Sequence, residues 1–73
     1  MSLKLEGPVV GVPDRLVILP GGRIIFAELK QESGHVSPVQ HIMIERLHRM
    51  GCDVRVLYGM PDVERFLQEV LPE

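Results

Sequence analysis

A proline followed by two glycines, Pro20-Gly21-Gly22, separates two apolar stretches and restricts the fold of this chain more than any other feature. Proline presets φ at the first corner of a tight turn, and glycine supplies the positive φ that the next corner needs. The flanking stretches DRLVILP and RIIFAELK predict strands at about Arg15 to Leu19 and about Arg23 to Lys30. The two strands should therefore pair as an antiparallel hairpin.

A helix, a third strand and a second helix are predicted after the hairpin. Ser37 and Pro38 suit the N-cap and first turn of the helix, and Gly51 suits its C-terminal cap. The third strand is expected at about Asp53 to Tyr58, and Met60-Pro61 should open the last helix. A helix between two strands implies a right-handed crossover and a parallel pair. The expected fold class is α/β: a small mixed sheet with a hairpin, a helix crossover to a parallel strand and a C-terminal helix.

Each predicted helix carries apolar residues at helical spacing, which marks the side expected to face the sheet. On the first helix these residues are Val39, Ile42, Met43, Leu47 and Met50. On the second helix they are Val63, Phe66, Leu67 and Val70.

Chain length predicts a single domain over residues 1–73, with residues 1–10 as an irregular lead-in. A chain of this size buries only about 60% of its unfolded surface, so it usually needs disulfides, a structural metal or oligomerisation. The single cysteine, Cys52, excludes an internal disulfide and suits a reducing compartment. We expect a homodimer, since twofold dimers are the commonest oligomers.

Charge and hydropathy argue against two broad classes of protein. The net charge of −2 is not that of a polycation that binds nucleic acid through bulk charge. No apolar run approaches the roughly 18 residues that span a bilayer, and the N-terminal MSLKLEGPVV does not resemble a signal peptide. The expectation is a cytoplasmic protein with no membrane partner, in which any contact to nucleic acid comes from a local patch.

Three charged residues lie within or beside the predicted hairpin: Asp14, Glu28 and Lys30. Strand alternation puts Glu28 and Lys30 on one face. Asp14 and Glu28 are symmetric about Gly21, so antiparallel pairing should bring them within about 5 to 8 Å. From the residues alone, two interpretations stay open. The charges form a solvated strand edge, or the two carboxylates hold a divalent cation while Lys30 holds a phosphate oxygen or activates a water.

Together with its flanking motifs, this pattern resembles the PD-(D/E)XK nuclease superfamily, through Pro13-Asp14 and Glu28-Leu29-Lys30. The longer string GVPDRLVILPGGRIIFAELK, followed by SPVQ and GCDVRVL, is similar to the virus-type replication-repair nuclease (VRR-NUC) family from about Gly11 to Leu67. The resemblance implies a restriction-endonuclease-like core and a divalent-metal-dependent DNA endonuclease of phage or bacterial replication and repair.

Residue roles follow from that resemblance. It implies that Asp14, Glu28 and the backbone carbonyl of Leu29 bind Mg²⁺ or Mn²⁺, and that Lys30 orients the attacking water or stabilises charge on the phosphate. It also implies that Gln40 approaches the site, although Ser37-x-x-Gln40 equally matches a capping box.

The expected substrate is duplex or branched DNA, in the cytoplasm of a bacterium or a phage-infected cell. A homodimer would direct two sites at opposite strands, which suits a junction or flap. The candidate DNA contacts are Arg15, Arg23 and Ser37.

Members of the family commonly begin with a helix that carries another acidic residue. Here Glu6 is the sole acidic residue before Gly11, and the family role is not carried onto it. The expectation is a core lacking the usual N-terminal helix. The alternative function is therefore a catalytically weak or inactive nuclease-fold module that acts in DNA binding or assembly.

Overall fold

The computed structural model describes residues 10–71, which form a three-stranded sheet and two helices. In chain order the elements are β1 (Arg15–Leu19), β2 (Arg23–Lys30), α1 (Pro38–Arg49), β3 (Asp53–Tyr58) and α2 (Gly59–Val70). The strand order is β1-β2-β3, with β1 antiparallel and β3 parallel to β2. The predicted mixed α/β fold is confirmed. The predicted lead-in at residues 1–10, and with it the expected lack of an N-terminal helix, lies outside the described residues except for Val10.

The turn between β1 and β2 forms as the glycines require. Gly22 N–H donates to the carbonyl of Leu19 at 3.1 Å. Gly21, at φ +87°, occupies the corner that disfavours any residue with a Cβ. This turn sets the hairpin register, which runs from Leu19 opposite Arg23 to Arg15 opposite Ala27.

Helix α1 has specific caps at both ends. The Ser37 hydroxyl accepts from Gln40 N–H at 3.2 Å, and the Gln40 side-chain oxygen accepts from Ser37 N–H at 3.1 Å. At the other end Gly51 N–H donates to His48 and Cys52 N–H donates to Leu47, the two bonds of a Schellman motif. The caps hold α1 at a fixed length between β2 and β3.

The two helices pack on opposite faces of the sheet. On the α2 face, Ile25 is fully buried in a cluster that also contains Leu57 and Phe66. On the α1 face, Leu47 and Val54 form the centre of a second cluster, against which Phe26 packs. Within the described part of the chain, no helix is long and apolar enough to cross a membrane.

Helix α1 contacts the sheet through only part of the predicted stripe, in which Met43, Leu47 and Met50 belong to or pack against the buried cluster. Ile44 is buried with Leu47, whereas Val39 and Ile42 of the predicted stripe are exposed. On α2, Leu67 is likewise exposed. A sheet of three strands is too narrow to cover the whole apolar side of either helix, so packing against β3 selects only part of each stripe.

Three further apolar side chains are exposed on the α1 face of the hairpin, and we call them the hairpin patch: Leu16, Ile18 and Ile24. Leu16 lies opposite Phe26 and Ile18 lies opposite Ile24, so all three share the face of Phe26. Ile18 is 68% exposed. Helix α1 packs on β3 and leaves this part of the sheet uncovered.

Candidate functional site

Asp14 and Glu28 meet at the open end of the hairpin. The register places Arg15 opposite Ala27, so the next pair along the strands is Asp14 and Glu28. Asp14 N–H donates to Glu28 Oε1 at 3.2 Å, and Leu29 N–H donates to Asp14 Oδ1 at 3.1 Å. Each carboxylate is therefore oriented by a backbone amide of the opposite segment, and the two residues meet across the hairpin as its symmetry predicted.

Glu28 is buried, with only 4% of its surface exposed. Within residues 10–71, Glu28 is the only charged residue that is buried. Lys30 Nζ lies 3.5 Å from Glu28 Oε2, and its side chain is four-fifths buried. Burying a carboxylate without a partner would reduce the free energy of unfolding by several kcal/mol. The ion pair with Lys30 and the hydrogen bond from the Asp14 amide offset this cost. Glu28 is thus not part of a solvated strand edge.

The Asp14 side of the site is open to solvent. The Asp14 side chain is 44% exposed, and Arg15 Nη1 lies 3.8 Å from its Oδ2. The same guanidinium nitrogen donates to the Asp14 backbone carbonyl at 3.0 Å. One carboxylate is therefore buried in the protein, while the other faces the surface beside an exposed guanidinium.

Three other predicted site residues, Ser37, Gln40 and Arg23, make contacts of their own. Ser37 and Gln40 form the reciprocal capping box of α1, so the capping interpretation of Gln40 is confirmed in geometry. Arg23 is at the far end of β2 and donates to Asp53 Oδ2 at 3.0 Å. The structure brings Asp14, Glu28, Leu29, Lys30 and Arg15 together, and it does not bring Arg23 to them.

Gly11 fixes the segment that leads into Asp14. Its φ is +79°, and a Cβ added there would lie 2.6 Å from the carbonyl oxygen of Val39 in α1. Pro13, between Gly11 and Asp14, is buried. Gly11 therefore packs its backbone against the first turn of α1, a contact that no local sequence pattern predicts.

A charged cluster was also missed: Asp53, Arg55, Glu69 and Arg23. Arg55 Nε donates to Asp53 at 2.7 Å and its Nη1 donates to Glu69 at 2.6 Å. The hydrogen bond from Arg55 lowers the pKa of Asp53, and the bond to Asp53 raises the pKa of Arg55 above its usual range. The Arg55 guanidinium also lies 5.7 Å from the centre of the Phe66 ring. This cluster joins β2, β3 and α2 away from the Asp14–Glu28 pair.

The donors at the Asp14–Glu28 pair are suited to a hard divalent cation. Two carboxylates and a backbone carbonyl are oxygen ligands, and Mg²⁺ is commonly held by one or two carboxylates together with water and substrate phosphates. Zinc would favour nitrogen and sulfur ligands. No cluster of three or more His, Cys, Asp or Glu that could hold a metal occurs in residues 10–71. A cation held by these two carboxylates alone would keep several coordination positions for water or phosphate.

Comparison with known proteins finds a similar phage protein. A protein described as "Putative nuclease p44", from Acyrthosiphon pisum secondary endosymbiont phage 1, is 49% identical over 47 residues. The match covers 64% of this chain and 50% of the relative, so the chain spans about half the length of that protein. No family model matches the chain, and no solved structure matches it.

Proposed function

We propose that this chain is a divalent-metal-dependent nuclease that hydrolyses phosphodiester bonds in DNA. The observation that carries the proposal is the cross-strand pair of Asp14 and the buried Glu28, with Lys30 on the same face. The similarity to a phage protein described as a nuclease supports it independently.

Asp14 and Glu28 hold the cation in this proposal, with the Leu29 carbonyl as a further oxygen ligand. The two backbone N–H donors fix one oxygen of each carboxylate, which reduces the reorganisation needed on binding. A bound Mg²⁺ or Mn²⁺ would supply Lewis-acid stabilisation of the phosphate and lower the pKa of a coordinated water. Lys30 presents its ammonium on the same face, where it holds a phosphate oxygen or orients the attacking water.

The proposed substrate is branched DNA, cut by a homodimer. The hairpin patch is an apolar surface on a chain too small to bury a large core, and exposed apolar surface of this kind favours association. A twofold dimer presents two equivalent sites, which suits a junction or flap with two strands to cut. Arg15 beside Asp14, and Ser37 at the start of α1, are the proposed DNA contacts, and Arg23 is a more distant one.

Cleavage of a labelled four-way junction and a labelled flap in Mn²⁺ tests the proposal. Asp14→Asn and Glu28→Gln are expected to reduce the single-turnover rate by at least about 100-fold, because each removes a charged metal ligand. Lys30→Met is expected to reduce it by a similar factor. The matched control is Glu45→Gln, the same chemical change on the exposed surface of α1, which should keep the wild-type rate. Equal rates for wild type and Glu28→Gln would refute the nuclease function.

The second candidate is a nuclease-fold module that binds DNA or assembles with partners without cutting. The small ligand set favours it, because only two carboxylates meet in the part of the chain that the structure describes. Fluorescence anisotropy with the triple variant Asp14→Asn, Glu28→Gln, Lys30→Met separates the two functions. Junction binding unchanged by the triple variant, with no cleavage by wild type, would support the module over the enzyme.

A further inference from the structure

Lys30 and Glu28 form a contact whose consequence goes beyond catalysis. Glu28 Oε1 accepts the Asp14 amide, and Oε2 faces the Lys30 ammonium at 3.5 Å. Hydrogen bonds from nitrogen to oxygen usually measure about 2.7 to 3.2 Å, so this contact is an ion pair rather than a short hydrogen bond. The Lys30 ammonium neutralises the buried carboxylate. It can move away from Glu28 without breaking a strong directional hydrogen bond.

The two carboxylates of the site differ in this respect. Asp14 also has a neighbouring cation, but both Asp14 and Arg15 are exposed and 3.8 Å apart, so solvent screens their attraction. The Glu28 side chain is 5% exposed and the Lys30 side chain 20% exposed, so their attraction is screened much less. Of the two, only the Glu28 carboxylate has a largely buried counter-charge.

We infer that Lys30 is the resident counter-cation of Glu28 in the metal-free protein and competes with a divalent cation for Glu28 Oε2. This inference rests on the proposed function. The ammonium leaves Oε2 when a divalent cation takes its place, and strand geometry keeps it on the same face. Metal binding and the release of Lys30 towards the substrate phosphate are then one coupled event. The metal-free site stays charge-balanced, and its lysine is freed only when the metal is bound.

Titration calorimetry of the whole protein with MnCl₂, without DNA, tests the competition. Lys30→Met is expected to bind Mn²⁺ about three- to tenfold more tightly than wild type, because the competing cation is gone. Arg15→Met removes the same charge beside the exposed carboxylate and is expected to change the affinity by less than about twofold. Lys30→Arg keeps the cation and is expected to bind Mn²⁺ no more tightly than wild type.

Thermal unfolding gives a second readout. Without metal, Lys30→Met should unfold at a lower temperature than wild type, since Glu28 is then buried without a counter-charge. Mn²⁺ should raise its unfolding temperature by more than it raises that of wild type. If Lys30→Met does not fold without metal, Lys30→Arg and Arg15→Met still test the competition. Tighter Mn²⁺ binding by Lys30→Arg than by wild type would contradict the inference.

Two failures are distinguishable. If wild type binds Mn²⁺ and cuts DNA while Lys30→Met binds Mn²⁺ no more tightly, the competition is wrong and the nuclease function stands. If neither wild type nor Lys30→Met binds Mn²⁺, the proposed metal site and this inference both fail.

Discussion

Glu28 shows how a residue gains a chemical role from its surroundings. Strand alternation assigns Glu28 to the same face as Phe26 and Lys30, but alternation alone does not show whether that face is exposed to solvent or buried. In the folded chain Glu28 is buried and Lys30 is its counter-charge. The sequence therefore predicted the pairing of Asp14 with Glu28 and left the burial of Glu28 open. The cross-strand amide bonds are likewise a product of the folded register.

Gly11 is the second residue whose role depends on close packing, and a matched glycine tests it. Gly11 and Gly21 have nearly the same positive φ, but a Cβ has open space at Gly21 and meets Val39 at Gly11. Gly21→Ala should cost about 1 to 2 kcal/mol from backbone strain alone. Gly11→Ala should cost more and also weaken Mn²⁺ binding, because it displaces the segment that carries Asp14.

Chemical denaturation and Mn²⁺ calorimetry on the two variants make this comparison. Equal losses of stability with unchanged Mn²⁺ affinity in both variants would show that the contact between Gly11 and α1 does not position Asp14.

Local signals predicted the bounds of the strands, and they predicted most but not all of the residues that the helices bury. The Pro-Gly-Gly turn and the caps of α1 act within a few residues, so the bounds of β1, β2, β3 and the start of α1 match the prediction. The face that a helix buries depends on which strand it crosses, which is a tertiary property. That is why Ile44 is buried and Ile42 exposed. The cluster around Arg55 joins residues far apart in sequence, so no local pattern reveals it.

The Asp53–Arg55 pair should make the stability of the fold acid-sensitive. The hydrogen bond from Arg55 holds the pKa of Asp53 below its usual 3.8. A lowered carboxyl pKa stabilises the folded state above the unfolded pKa, and that contribution is lost as pH falls through the folded value. Asp53→Asn should therefore cost about 1 to 2 kcal/mol at neutral pH. In this variant the free energy of unfolding should also fall less steeply than in wild type as the pH drops below about 4.

Urea unfolding between pH 7 and pH 2 checks this, with Glu45→Gln on α1 as control. The Glu45 ion pair is exposed and 3.9 Å long, so its loss should change the free energy of unfolding by less than about 0.5 kcal/mol. An acid dependence in Asp53→Asn identical to that of wild type would contradict the role given to the cluster.

Residues 10–71 form a three-stranded sheet with one helix on each face, and apolar side chains remain exposed on the hairpin. The described chain has two separate apolar clusters, one on each face of the sheet, and the hairpin patch belongs to neither. Chain length predicted this shortage of core, although the position of the uncovered surface depends on where α1 lies. The exposed apolar side chains of the hairpin patch are the basis for the proposed dimer.

Ile18→Glu tests the dimer. Because Ile18 is 68% exposed, the substitution should change the stability of an isolated subunit by less than about 0.5 kcal/mol. If the protein is the proposed dimer, Ile18→Glu should sediment as a monomer at micromolar concentration where wild type sediments as a dimer, since a buried charge opposes association. Ile18→Thr, which introduces a polar group without a charge, is expected to weaken the association less. A wild-type protein that sediments as a monomer, or an Ile18→Glu variant that stays dimeric, would rule out the hairpin patch as the interface.

The proposed function requires Asp14 and Glu28 to hold a divalent cation together. A crystal soaked in MnCl₂, with data collected to locate Mn²⁺ by anomalous scattering, tests this requirement. We expect one peak in contact with both carboxylates, and the Lys30 ammonium moved away from Glu28 Oε2. The absence of a peak between the carboxylates, with Lys30 still paired to Glu28, would contradict it.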